Sequence, residues 1–129
     1  MVFYLDTSAF LKLVVSEPES AAMRGWMTSS GPCWSSQLLR SEAIRAARRL
    51  GIGTPIINQA LDVVALVTPG PSTFLLAGSL EPPQLRTLDA WHLAAALELG
   101  ADLDGLVTYD TRMIEGAKTA GIAVVTPIL

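Results

Sequence analysis

Four carboxylates stand where an apolar chain leaves little room for acids. Asp6 closes the run Val2-Phe3-Tyr4-Leu5, Glu42 lies inside a helical stretch, Asp89 opens the alanine-rich segment Asp89–Leu97, and Asp110 follows Leu106-Val107-Thr108-Tyr109. In a parallel α/β sheet, acids at strand ends and helix starts converge on the crevice outside the carboxyl edge. Like charges gathered there repel unless a cation neutralises them. Mg²⁺ or Mn²⁺ suits that need, because such ions take oxygen ligands from a few carboxylates and complete their shells with water. The chemistry open to the set is hydrolysis of phosphodiester bonds.

Each acid also has a plainer use. Asp6 and Asp110 can cap the helices that follow them, although Thr7 and Ser8 offer capping oxygens too. Asp89 sits favourably in the field of a helix N-terminus. Glu42 has Leu38, Leu39 and Ala46 at three- and four-residue spacing, which puts it on an apolar face, and Arg45 or Arg49 at a spacing suited to an ion pair. A carboxylate partly withdrawn from water needs a partner, and a metal ion or its bound water would serve. The coincidence of two strand-terminal acids and two helix acids favours the metal reading over four separate explanations. His92 shares a helix face with Asp89; a structural role is favoured over that of a general base. Asp102 and Asp104 read as a solvated turn, and Trp26, Trp34 and Trp91 as core or interface residues.

The elements that must position these groups follow from the hydrophobic pattern. A strand is expected at Val2–Leu5 and a helix from about Ser8 to Val15, with a second helix after Pro18 carrying Ala21, Ala22, Met23 and Trp26. Cys33-Trp34 is a brief strand, and Ser35 or Ser36 caps a helix from about Gln37 to Leu50 that ends at Gly51. Thr54-Pro55 starts a helix expected to run to about Val67. Phe74–Leu80 is ambiguous and leans toward helix. A helix from Thr87 or Leu88 to Leu99, a strand at Leu106–Tyr109, a helix over Asp110–Thr119 and a strand at Ile122–Val125 complete the chain. Alternating strands and helices imply an α/β fold with a central parallel sheet, right-handed crossovers and helices on both faces.

Composition narrows the function classes. With 129 residues the chain is expected to form one domain over 1–129, and a 50% hydrophobic fraction against 16% charged excludes disorder. The formal net charge of −3 argues against gripping nucleic acid by overall electrostatics, so any such contact must be local. Seven of the nine basic residues are arginines: Arg40, Arg45, Arg48 and Arg49 share one expected helix, while Arg86 and Arg112 lie beside Asp89 and Asp110. That distribution could hold a phosphate near a metal. The single cysteine, Cys33, cannot form an internal disulfide and reads as a small buried hydrophobe. No apolar run reaches the roughly 20 residues that span a bilayer, and the opening Met-Val-Phe-Tyr-Leu-Asp lacks a basic targeting segment, so a cytoplasmic location is expected.

The segments Tyr4-Leu5-Asp6-Thr7-Ser8-Ala9, Ser41-Glu42, Leu85-Arg86-Thr87-Leu88-Asp89-Ala90-Trp91-His92-Leu93-Ala94 and Val107-Thr108-Tyr109-Asp110-Thr111-Arg112-Met113 together resemble the PIN-domain ribonucleases, specifically the VapC toxins of bacterial toxin–antitoxin pairs. The resemblance spans nearly the whole chain, with Pro69–Pro83 its least family-like part. It implies a PIN-like three-layer fold, an Mg²⁺- or Mn²⁺-dependent endoribonuclease acting on RNA, a VapB-type antitoxin as partner, and a homodimer. Carried over by position, Asp6 and Asp89 correspond to the main metal ligands, Glu42 and Asp110 complete the acidic quartet, and Thr108 and Ser8 orient ligands or water. Two rival readings are a phosphatase or phosphotransfer domain and a non-catalytic binding module of the same fold. Asp6-Thr7-Ser8 lacks the second aspartate of a haloacid-dehalogenase-type motif, which weighs against the first; the intact quartet weighs against the second.

Overall fold

The computed structural model describes residues 2–129. Its strands β1 (Val2–Leu5), β2 (Cys33–Ser36), β3 (Val64–Val67), β4 (Leu103–Val107) and β5 (Val124–Val125) form one parallel sheet in the order β3-β2-β1-β4-β5. The chain builds outward from β1 to β2 and β3, then crosses back to lay β4 on the other side of β1. Direction therefore switches between β1 and β4, where α/β sheets open their ligand crevice.

Alternating side chains on β1 feed the two faces. Leu5, with Phe3 packed beside it, joins a core with Phe10, Met23, Leu39 and Ile57, drawn from helices α1 (Thr7–Leu11), α2 (Ser20–Ser30), α3 (Gln37–Leu50) and α4 (Thr54–Leu61). Tyr4 faces the other way, against Leu93 and Met113 of α6 (Thr87–Leu97) and α7 (Thr111–Thr119). Helix α5 (Pro71–Ser79) packs on α6 through Ala77, Ala90 and Ala94. Apolar cover on both sides is what a purely parallel sheet requires, and the expected three-layer architecture is observed.

Helix α3 has the expected bounds, from the Ser36 side-chain cap to Gly51, whose φ of 74° gives the left-handed turn at the C-terminus. Several expected bounds need correction: the first helix stops at Leu11 rather than about Val15, β4 ends at Val107 rather than Tyr109, and the last strand starts at Val124 rather than Ile122. The helix begun at Thr54-Pro55 stops at Leu61, and Val64–Val67 is instead the edge strand β3, paired with β2. Its short apolar run before Thr68-Pro69-Gly70 fits a strand of four residues as well as a last helical turn, and pairing decides between them. Strand β4 begins at Leu103 rather than Leu106, so Asp104 lies on a strand and accepts a hydrogen bond from the Val2 amide at 2.6 Å. The ambiguous segment around Phe74–Leu80 is helical, as favoured.

Helices α6 and α7 carry Asp89 at one start and Asp110 just before the other. Their approach depends on Gly116: a Cβ there would meet Leu93 Cδ1 at 2.8 Å and Leu85 Cδ1 at 3.2 Å. Gly116→Ala should therefore destabilise the protein by about 1–3 kcal/mol through overpacking, to be read as a lowered midpoint in urea unfolding.

Candidate active site

Asp6 and Asp110 follow the two central strands β1 and β4, side by side at the switch point. Both are helix caps, as the plainer reading held, but capping does not use both oxygens of either. Asp6 Oδ1 accepts from the Ala9 amide at 3.0 Å and from Ser8 Oγ at 2.7 Å, while Oδ2 accepts from Thr108 Oγ1 at 2.5 Å. Asp110 Oδ1 accepts from the amides of Arg112 and Met113, leaving Oδ2 toward Arg86 at 3.4 Å. Thr108 Oγ1 also accepts from the Asp110 amide at 3.0 Å, and Ser8 Oγ from the Tyr109 amide at 2.9 Å. The two hydroxyls thus tie the ends of β1 and β4 together around Asp6.

Glu42 and Asp89 reach the same place from α3 and α6. Glu42 does not pair with Arg45 or Arg49; its Oε1 accepts from Thr7 Oγ1 at 2.9 Å and lies 2.6 Å from His92 Nε2. His92 Nδ1 is 2.7 Å from the Tyr4 hydroxyl. Burial raises the Tyr4 pKa and keeps the phenol protonated, and with Nε2 set to donate to the Glu42 carboxylate, Nδ1 of the neutral ring accepts from the phenol. The remaining ring hydrogen then sits on Nε2 and points at Glu42, a tautomer assigned from its partners. His92 is buried and bridges Tyr4 to Glu42 at the cavity wall.

One cavity of about 140 Å³ is lined by Asp6, Thr7, Ser8, Glu42, Arg86, Asp89, His92, Asp110 and Met113. All four acids singled out in the sequence line it. Thr7, Tyr4 and Arg86 were not singled out as partners of those acids. Thr7 adjoins Asp6 and Arg86 stands three residues before Asp89, but nothing in the sequence shows that Tyr4 reaches His92.

The cavity carries uncompensated negative charge. Burial raises the pKa of Asp6 against the opposing hydrogen bonds from Thr108, Ser8 and Ala9. Burial, then the neighbouring Asp110, raises that of Asp89, with Arg86 pulling the other way. Among the described residues, Glu42 Oε2 and Asp89 Oδ1 have no protein hydrogen-bond partner. These hard oxygen donors fit Mg²⁺ or Mn²⁺. In this arrangement no three His, Cys, Asp or Glu side chains among the described residues stand close enough to ligate one ion together, and Arg86 contacts two of the acids at 3.3 and 3.4 Å.

The PIN domain family model matches residues 3–119. The chain belongs to the PIN-domain family. It is 46% identical over 131 residues to Ribonuclease VapC46 of Mycobacterium tuberculosis (strain ATCC 25618 / H37Rv), covering 96% of each chain. It is 35% identical over 135 residues to Ribonuclease VapC47 of Mycobacterium tuberculosis (strain CDC 1551 / Oshkosh), covering 98% of this chain and 97% of the relative. These relatives make it a PIN domain of the VapC type. Its fold matches the crystal structure of Mycobacterium tuberculosis VapC20, described as a Sarcin-Ricin loop cleaving toxin, with a TM-score of 0.77 over 97% of this chain and 99% of that one. At 16% identity that match speaks to the fold alone. Among the described residues of this PIN domain, no helix is long and apolar enough to cross a membrane.

The raised pKa of Asp89 has a consequence for stability. A carboxyl whose pKa is higher in the folded state costs stability when it ionises; the cost is absent below the unfolded value of about 3.9 and complete above the raised one. Asp89→Asn should therefore melt higher than the unaltered protein at pH 7 in divalent-free buffer. The gain should vanish as the pH falls toward about 4, which thermal melts across that range will measure.

Proposed function

We propose that this PIN domain is a metal-dependent endoribonuclease acting as the toxin of a VapBC-type pair. The observation that carries the reading is the meeting of Asp6, Glu42, Asp89 and Asp110 around one cavity at the switch point of the sheet. Family membership supplies the substrate class: the relatives are named ribonucleases.

Asp6 and Asp89 are assigned as the main ligands of Mg²⁺, or of Mn²⁺ in its place, with Glu42 and Asp110 completing the set. The cation supplies positive charge that acidifies a water molecule and offsets charge on the scissile phosphate. Hydrolysis adds water to phosphorus, breaks one P–O bond and sends the departing oxygen away protonated. The chain's contribution is positioning. Thr108 and Ser8 hold the Asp6 carboxylate from opposite sides, and the Tyr4–His92 pair fixes Glu42 with one oxygen directed away from the protein donors. Tyr4, His92 and Thr108 are themselves buried, which holds Asp6 and Glu42 in place; Asp89 and Asp110 must leave Arg86 for the acids to close on a single cation.

A phosphatase using Asp6 as nucleophile is less well supported. Asp6 is 3% exposed and both its oxygens accept hydrogen bonds from the protein, which blunts attack on a phosphate. The remaining assignments follow the family: RNA as substrate in the cytoplasm, a VapB-type antitoxin as inhibitor, and a homodimer as the working unit. Exposed Phe74, Leu75 and Leu88 supply apolar surface suited to such contacts.

Purified protein should degrade RNA with Mg²⁺ or Mn²⁺ and stop when EDTA is added. Asp6→Asn and Asp89→Ala should each slow cleavage by about 100-fold or more while remaining folded. Electrophoresis of the RNA products beside a circular dichroism spectrum checks both statements. An active Asp6→Asn variant, or a phosphoaspartate trapped at Asp6, would overturn the assignment.

A further inference from the structure

Arg86 is the cation that this acidic cavity already contains. Its Nε lies 3.3 Å from Asp89 Oδ2 and its terminal nitrogen 3.4 Å from Asp110 Oδ2, so one guanidinium bridges two of the four acids. The backbone beneath it is fixed: Arg86 is the N-cap residue of α6, and its carbonyl accepts from the Ala90 amide at 2.8 Å. The side chain itself is 59% exposed and, among the described residues, hydrogen-bonds to no protein group but the two acids. Long contacts made by a mostly solvated guanidinium contribute little stability and break cheaply.

The surroundings give the released side chain a destination. A second, outer cavity of about 360 Å³ is lined by Glu42, Arg86, Thr87, Leu88 and Asp89. Arg86, Glu42 and Asp89 thus line both spaces, with the arginine at the wall between the acids and the groove. A guanidinium matches two phosphate oxygens as well as it matches carboxylates, and it cannot lose its charge in either place. A divalent ion among the acids would repel it, while an RNA phosphate in the groove would attract it.

We propose that Arg86 is an exchangeable cation: it neutralises Asp89 and Asp110 until a divalent ion takes them over, then turns outward to hold a phosphate of the bound RNA. This rests on the metal-dependent nuclease reading above. It makes Arg86 a catalytic residue in cleavage and a competitor in metal loading, two effects of opposite sign from one side chain. An ion pair that stayed on the acids would show only the second.

The test measures both signs separately. Mn²⁺ affinity is read without RNA, from the free-ion signal in electron paramagnetic resonance, and cleavage of total bacterial RNA is timed at saturating Mn²⁺. Arg86→Gln should bind Mn²⁺ about three- to fivefold more tightly yet cut RNA about tenfold or more slowly. Arg86→Lys keeps the charge without the fork, so its Mn²⁺ affinity should stay near that of the unaltered protein while cleavage falls to an intermediate rate. An Arg86→Gln protein with unchanged or weaker Mn²⁺ affinity, or with undiminished cleavage, overturns the proposal while leaving the nuclease reading intact. RNA cleavage by proteins that bind no Mn²⁺ or other divalent ion overturns both.

Discussion

Negative charge confined at the carboxyl edge of a parallel sheet is the constraint around which the rest of the molecule is arranged. Asp6 is almost wholly buried and Asp89 mostly so, and burial raises the pKa of each. Withdrawing carboxylates from water is tolerated only where donors or cations compensate. The chain supplies that compensation piecemeal: hydroxyls and an amide for Asp6, a histidine and a threonine for Glu42, an arginine for Asp89 and Asp110. A nearby acid still helps to raise Asp89, so compensation is incomplete. In the metal-dependent nuclease proposed above, that remainder would attract the cation.

The fold serves the same end. Placing β1 and β4 side by side brings Asp6 and Asp110 together from positions 104 residues apart, and Ser8 and Thr108 bond across the same gap. Helices on opposite faces then contribute the other acids, α3 with Glu42 and α6 with Asp89. His92 spans the layers, touching Tyr4 of the central strand and Glu42 of the far helix. Packing in both cores therefore sets the distances in the cavity, which is why a methyl group at Gly116 matters near α6 and α7.

The acids were legible in the sequence because their neighbours are so apolar. A lone carboxylate after Val-Phe-Tyr-Leu or after Leu-Val-Thr-Tyr stands out, and the Ser36 and Gly51 signals that bound α3 are local chemistry that needs no tertiary context. Strand β3 was not legible, because Val64–Val67 can extend a helix or pair with β2 and only the pairing settles which. The partners of Glu42 were hidden for a related reason. Helical spacing offered Arg45 and Arg49, whereas the groups that hold it, Thr7 and His92, arrive from elements 35 and 50 residues away. Sequence spacing ranks neighbours along one element; it is silent on those that the sheet brings in from elsewhere.

The most direct test of the central claim is anomalous X-ray scattering from crystals of the purified protein soaked in Mn²⁺. A manganese peak is expected in the cavity, in contact with Asp6 and Asp89. Manganese bound only elsewhere on the protein, with the four acids still engaged by their protein partners alone, would contradict it.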